Sequence, residues 1–295
     1  MAHSETALPP GIGARPLDAS DLDTALELSR EAHWNQVAAD WRIFLELGSG
    51  IALTRHDTGR LVATAAMLPF GDEFAWISMV LVTAAERRRG LARWLLGQCV
   101  SRLLARGLVP VLDATPAGRA VYLGLGFEDC WGLQRFVART TAPARAAPAP
   151  PGFVVRALAP EDWPRLEAFD AGAFGAARPA LLRRLAERLP VAALVAERGG
   201  RIAGYLLGRD GHAMTQLGPL AAENEPVAQA LLAHAIEVVP APLAVDAPDR
   251  HAGVCRFLEA RAFAAERPWT RMRHGSGVSF GDGARLFAIA GPEFG

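Results

Sequence analysis

Apolar positions along residues 12–140 change period several times, and each change predicts an element. Stretches 20–31 and 37–47 carry apolar residues at helical spacing and predict two short helices. Apolar runs at 50–56 and 61–68 flank the turn sequence Asp57-Thr58-Gly59 and predict two strands. A third strand covers about 73–82. Leu91, Leu95, Cys99 and Leu103 then recur every four residues, flanked by Leu96, Val100 and Leu104. They predict a helix over about 90–106, with Gly107 as its stop. A strand from Val109 to Ala114, a short helix from Pro116 to Leu125 and closing strands from Phe127 complete the series.

The pattern then repeats. Arg15-Pro16-Leu17 with Asp21-Leu22 matches Arg156-Ala157-Leu158 with Asp162-Trp163, an offset of 141. The same offset sets Ala52-Leu53 against Ala193-Leu194, and Gly59-Arg60-Leu61 against Gly200-Arg201-Ile202. This reads as a tandem duplication. Thr141 to Gly152 is Pro/Ala-rich without apolar periodicity and reads as a semi-rigid linker. The expected organisation is therefore a domain at 12–140, a linker at 141–152 and a second domain at 153–295.

Composition narrows the classes. Of 295 residues 51% are hydrophobic and 21% charged, as in ordinary globular proteins. Formal net charge is zero, so no global field recruits nucleic acid or an acidic membrane. Three cysteines without ligand spacing argue against a disulfide framework or a metal site. No apolar run reaches membrane-spanning length and no leader is read at the start, so the expected location is cytoplasmic.

The candidate chemistry sits where the strand Met79-Val80-Leu81-Val82 hands over to the helix, at Arg87-Arg88-Arg89-Gly90-Leu91-Ala92-Arg93. Free N–H groups of a first helical turn attract anions, glycine lets a phosphate approach the main chain, and the arginines add charge. A polyphosphate site is expected. The chain has no Gly-x-x-x-x-Gly-Lys-Ser/Thr loop, nor a Gly-x-Gly-x-x-Gly after an N-terminal strand.

Arg87-x-x-Gly90-x-Ala92 after a buried strand resembles the acyl-coenzyme A signature of the GNAT N-acetyltransferases. Leu112-Asp113-Ala114-Thr115-Pro116 followed by Tyr122-Leu123-Gly124-Leu125-Gly126-Phe127 is similar to that family's later motif. The resemblance implies an α/β (α+β) fold: two tandem GNAT-like domains, each a mixed, mostly antiparallel sheet flanked by helices. It implies an acetyl-CoA-dependent N-acyltransferase that needs no metal and acts on a small amine in a ternary complex. Val80, Leu81 and Val82 would pair with the pantetheine arm, residues 87–93 and Thr115 would complete the coenzyme contacts, and Tyr122 would be the general acid. An N–H near Leu81 would face the developing oxyanion.

His33, Trp34, Gln36 and Trp76 are the candidates for the acceptor pocket. The base stays open between Glu73, His33 and a water relay, because Trp76 stands where the histone-modifying branch has its glutamate. A five-residue shift across the second copy's central strand sets Arg87 against Glu223, Arg89 against Glu225 and Gly90 against Pro226. Carboxylates and a proline are hostile to phosphate, so the second copy is expected to be degenerate. With both copies in one chain, a monomer is expected. A non-catalytic acyl-CoA-binding regulatory module is the alternative.

Overall fold

The computed structural model describes residues 7–140, 149–275, 277 and 280–295. Residues 141–148 of the expected linker lie outside the described residues. The chain forms two compact units. One holds the described residues up to Leu112 with Val121–Glu128 and Arg273–Gly275. The other holds Asp113–Ala120, Asp129–Met272 and the described residues after Gly275.

The front copy runs β1 (Ile12–Pro16), α1 (Leu22–Glu31), α2 (Ala38–Leu47), β2 (Ser49–Arg55), β3 (Leu61–Phe70), β4 (Phe74–Val82), α3 (Leu91–Leu104), β5 (Val109–Ala114), α4 (Pro116–Leu123) and β6 (Phe127–Ala138). Within the first unit β1, β2, β3 and β4 pair antiparallel in that order, and β5 starts parallel to β4. β3 is buried along nearly its whole length, so its side chains need cover on both faces. Helices α1, α2 and α3 pack against it. Cys99 lies in this core, where burial pushes its thiol up to about 12 and keeps it inert.

The second copy repeats the order: β7 (Val154–Ala157), α5 (Trp163–Phe174), α6 (Pro179–Arg188), β8 (Leu194–Arg198), β9 (Arg201–Arg209), β10 (Thr215–Ala222), α7 (Glu225–Val238), β11 (Leu243–Pro248), α8 (Ala252–Glu259) and β12 (Ala264–His274). It adds a short strand near the end of the chain, β13 (Leu286–Ala288). In the second unit the strand order is β12-β6-β11-β10-β9-β8-β7, with β13 on β10. The front copy's closing strand therefore belongs to the second unit's sheet, where β6 pairs antiparallel with β11 from Leu133↔Pro248 to Ala138↔Leu243. Two buried ion pairs fix this exchange. Arg135 of β6 grips Asp246 of β11 at 2.8 and 2.7 Å, and Arg271 of β12 grips Asp113 of β5 at 2.9 and 2.8 Å.

The repeated Arg and Asp at the start of each copy have one physical role. Arg15 holds Asp21 through two hydrogen bonds of 2.7 and 2.6 Å, and Arg156 holds Asp162 at 2.6 and 2.9 Å. Each aspartate also accepts a main-chain N–H three residues back, from Asp18 or Ala159, and so starts the helical segment. Strand pairing corrects one of the sequence matches. Ala52 pairs with Arg15 and Thr64, and the residue pairing with Arg156 and Tyr205 is Val195, so Val195 rather than Ala193 takes its place. Two residues have been gained between the copies' first and second strands.

Arg156 holds the buried Asp162 carboxyl down at about 2, against the desolvation that would raise it. A carboxylate whose folded pKa is depressed contributes stability above about pH 4, and that contribution is lost as pH falls toward 2. Asp162→Asn is expected to lower the unfolding free energy by ~2 kcal/mol at pH 7. Urea denaturation from pH 7 to pH 2 reads both effects, and an unchanged midpoint at pH 7 would refute them.

Candidate functional site

β4 carries one extra residue against β3. Thr64 pairs with Leu81 but Ala66 pairs with Ser78, so the strand bulges at Met79 and Val80. Met79 has φ +53°, rare for a side chain of its size, and is buried. The Thr64 hydroxyl donates to the Met79 carbonyl at 2.9 Å and holds the bulge. On its other edge β4 pairs with β5 only at Phe74↔Val109, Ala75↔Pro110 and Trp76↔Val111. Past that rung the ladder stops and the edge of β4 from Ile77 to Val82 is left open toward β5. An open strand edge can pair with any extended, amide-bearing chain.

The turn that follows is held by carboxylates the sequence analysis did not single out. Glu31, at the end of α1, accepts from the Thr83 hydroxyl at 2.9 Å and from the Ala84 N–H at 2.5 Å. Those bonds hold its carboxyl below the usual range, the main-chain one contributing most. Glu86, 4% exposed, accepts from Arg55 at 3.0 Å and also from Arg89. Arg87 donates through Nε to the Val82 carbonyl at 3.1 Å. The three consecutive arginines are thus unequal. Arg89 is neutralised by Glu86 and Arg87 is oriented by the strand, while Arg88 and Arg93 form no ion pair among the described residues.

Arg88 and Gly90 have φ of +63° and +80°, turning the chain into α3. No side chain caps this helix, and its first internal bond runs from the Trp94 N–H to the Gly90 carbonyl at 3.0 Å. The N–H groups of Leu91, Ala92 and Arg93 therefore lack intrahelical acceptors. With the dipole's positive end and with Arg88 and Arg93, the turn at the end of the open strand edge is electrostatically suited to an anion.

The remaining candidates fall in three places. His33, Trp34 and Gln36 share the loop that leaves α1 two residues after Glu31, beside the anion turn. His33 is exposed with φ +55°, Trp34 is half-buried, and Gln36 is buried with Oε1 unpartnered. Trp76 is 1% exposed and packs edge-on against Phe70, as a core residue of β4. Tyr122 is half-buried, 6.1 Å from the Phe127 ring, and burial raises its hydroxyl pKa. Phe127 in turn meets His274 edge-on at 5.5 Å, a neighbour drawn from the far end of the sequence. Thr115 accepts the Gly118 N–H at 3.1 Å and caps α4.

The second copy keeps the frame and fills the cleft. Thr64 pairs with Leu81 and Met67 with Ile77, and their counterparts Tyr205 and Gly208 pair with Ala221 and Leu217. β4 and β10 thus match at an offset of 140 to their last residues, Val82 and Ala222. This corrects the five-residue shift assigned to the strand. One residue is lost in the preceding hairpin and six in the turn, which runs Thr83–Gly90 in the front copy and Glu223–Asn224 in the second, so the helix cap opposite Gly90 is Asn224 rather than Pro226.

What remains of that turn is occupied. Asn224 caps α7 by accepting the Val227 N–H at 3.1 Å, and Pro226 removes a donor. Glu225 accepts from Gly253 and Val254 at the start of α8 at 3.0 and 3.3 Å, and Glu223 pairs with Arg198 at 3.1 Å. β10 and β11 also part early, after Gln216↔Ala244, the rung equivalent to Trp76↔Val111. Here β13 enters the gap, pairing Ala288 with Leu220 and Leu286 with Ala221, while the Ile289 N–H donates to the Asp246 carbonyl at 3.0 Å. Among the described residues no group of three His, Cys, Asp or Glu side chains comes together, and no helix is long and apolar enough to cross a membrane.

Comparison with known proteins agrees with this geometry. Residues 20–127 match the acetyltransferase (GNAT) family model, and residues 166–288 match a second acetyltransferase (GNAT) domain model. An uncharacterized N-acetyltransferase, YitH of Bacillus subtilis, is 23% identical over 195 residues, 66% of this chain and 67% of that one. A putative acetyltransferase from Pyrococcus horikoshii shares the fold with a TM-score of 0.77 at 21% identity, covering 100% of this chain and 99% of that one. A tandem GNAT protein from the clavulanic acid biosynthesis pathway does so with a TM-score of 0.65 at 16% identity, covering 91% and 99%. The chain belongs to the GNAT acetyltransferase family and carries two GNAT domains in tandem.

Proposed function

We propose that the front copy, residues 12–140, is an acetyl-CoA-dependent N-acyltransferase for a small amine. The second copy, residues 153–295, is its non-catalytic partner behind the 141–152 linker. One observation carries the reading: the open edge of β4 ends at an uncapped, cationic helix start in the front copy, and the matching edge is closed by β13 in the second. Val80, Leu81 and Val82 offer main-chain partners to the amides of the pantetheine arm. The N–H groups of residues 88–93, with Arg88 and Arg93, hold the diphosphate, and Thr115 is a further candidate for the coenzyme contacts.

The thioester supplies an activated acyl carbonyl, and attack by the acceptor amine forms the C–N bond as the C–S bond breaks. Tyr122 gives the leaving sulfur its proton, and its raised pKa keeps that proton available into alkaline solution. His33, Trp34 and Gln36 line the acceptor side, with Trp76 supporting them from the core. Glu73 lies in the turn just before β4, six residues before the bulge and about 20 Å away along an extended chain, too far to take the amine proton directly. Proton removal therefore falls to His33 or to water.

Calorimetric titration with acetyl-CoA is expected to give one site per chain. Arg88→Gln should weaken binding roughly tenfold, the value of one charge-assisted contact, without changing the melting temperature. Arg89→Gln should lower the melting temperature as well, because it strips a partner from buried Glu86. Two sites per chain, or none, would refute the assignment.

Tyr122→Phe should slow amine-dependent thiol release by roughly tenfold to a thousandfold with little change in coenzyme affinity. In the unmodified protein any alkaline limb due to Tyr122 should lie above the ordinary phenol value of about 10. Tight binding with no thiol release from a broad set of amines would favour the regulatory module.

A further inference from the structure

Ser78 is the odd residue of β4. Its neighbours Trp76, Ile77, Met79 and Leu81 are all buried hydrophobics, and Ser78 is buried with them at 9% exposure, yet its hydroxyl has no hydrogen-bond partner among the described residues. Burying an unpaired hydroxyl is unfavourable, and alanine or valine would serve the packing better. The residue stands just before the bulge and two residues past Trp76, the last position paired with β5, so it lies on the open stretch of the strand.

The second copy shows what faces this position. At the offset of 140 Ser78 corresponds to Gly218. A Cβ at Gly218 would lie 2.1 Å from the Ile289 carbonyl oxygen, and φ there is +151°, so glycine is required on both counts. Ile289 directly follows β13, the segment that runs along β10 inside the parted strands. Where an extended chain occupies this gap, it therefore sets a carbonyl oxygen against the place from which the front copy projects a hydroxyl.

Direction makes the correspondence chemical. A thioester carrier anchored by its diphosphate at residues 88–93 and running back along Val82, Leu81 and Val80 brings its acyl end to Ser78. We propose that the Ser78 hydroxyl donates a hydrogen bond to the carbonyl oxygen of the bound acyl thioester, making Ser78 a catalytic residue of the front copy. This rests on the reading of the cleft as an acyl-CoA site. The bond strengthens as negative charge gathers on that oxygen during attack by the amine, and it supplements the main-chain donor near Leu81. Serine stays uncharged and forms no covalent bond.

The test needs no knowledge of the acceptor. Wild type, Ser78→Ala and Ser78→Thr are titrated with acetyl-CoA and with S-ethyl-CoA, a thioether that lacks the carbonyl. Wild type and Ser78→Thr should prefer acetyl-CoA by roughly threefold to tenfold. Ser78→Ala should bind the thioether like wild type, lose most of that preference and keep only what the main-chain donor supplies, and melt no lower than wild type without ligand. Equal discrimination by wild type and Ser78→Ala would overturn the proposal and leave the acyl-CoA site standing. Equal loss of both ligands with a lower melting temperature would overturn it too, by making Ser78 a folding residue. Failure of wild type to bind either ligand would instead remove the site itself.

Discussion

The early parting of two parallel strands is the constraint on which the rest depends. A sheet interior leaves no main-chain N–H or carbonyl without a partner, so a ladder that stops at Trp76↔Val111 creates a demand that something must meet. The bulge at Met79, locked by Thr64, keeps the demand in place. In the second copy the same demand arises after Gln216↔Ala244 and the chain meets it with its own residues 286–289. One frame thus gives an edge kept open and an edge sealed from within.

The two helix starts have diverged in step with the two edges. α3 begins at an uncapped glycine with free donors, beside Arg88 and Arg93, which form no ion pair among the described residues. α7 begins six residues sooner after its strand, capped by Asn224 and carrying Glu225 and Pro226. Each change is small, but all of them remove attraction for an anion: a donor is lost, an acceptor is used up, and the charge reverses. Packing residues escaped this drift, as Phe127 and Phe263 show by remaining buried in both copies.

Local features were legible in the sequence and distant partners were not. The period of apolar residues placed the helices and strands within a few positions, because periodicity is imposed by burial of one face. The helix after Pro116 ends at Leu123, short of the expected Leu125, since Gly124 and a left-handed Gly126 follow. The arginine run stands out in the sequence, but its internal division depends on Glu86 and on the Val82 carbonyl, which only folding brings close. Glu31 is separated from Ala84 by 53 positions, and nothing in the spacing of either betrays the contact. β13 escaped notice because a three-residue strand has no period to detect. The pairing of β6 with β11 escaped because chain order suggests that each copy closes its own sheet.

That last pairing reaches into the history of the chain. Asp246 receives Arg135 from the front copy's final strand, and Asp113 receives Arg271 from the second's. The front copy's closing strand lies in the second unit's sheet, so a gene cut at the linker would take a strand and its arginine from β11 and leave Asp246 without that partner. The rear half is therefore retained for its strands and carboxylates, whatever becomes of its cleft: it has become scaffolding for the whole.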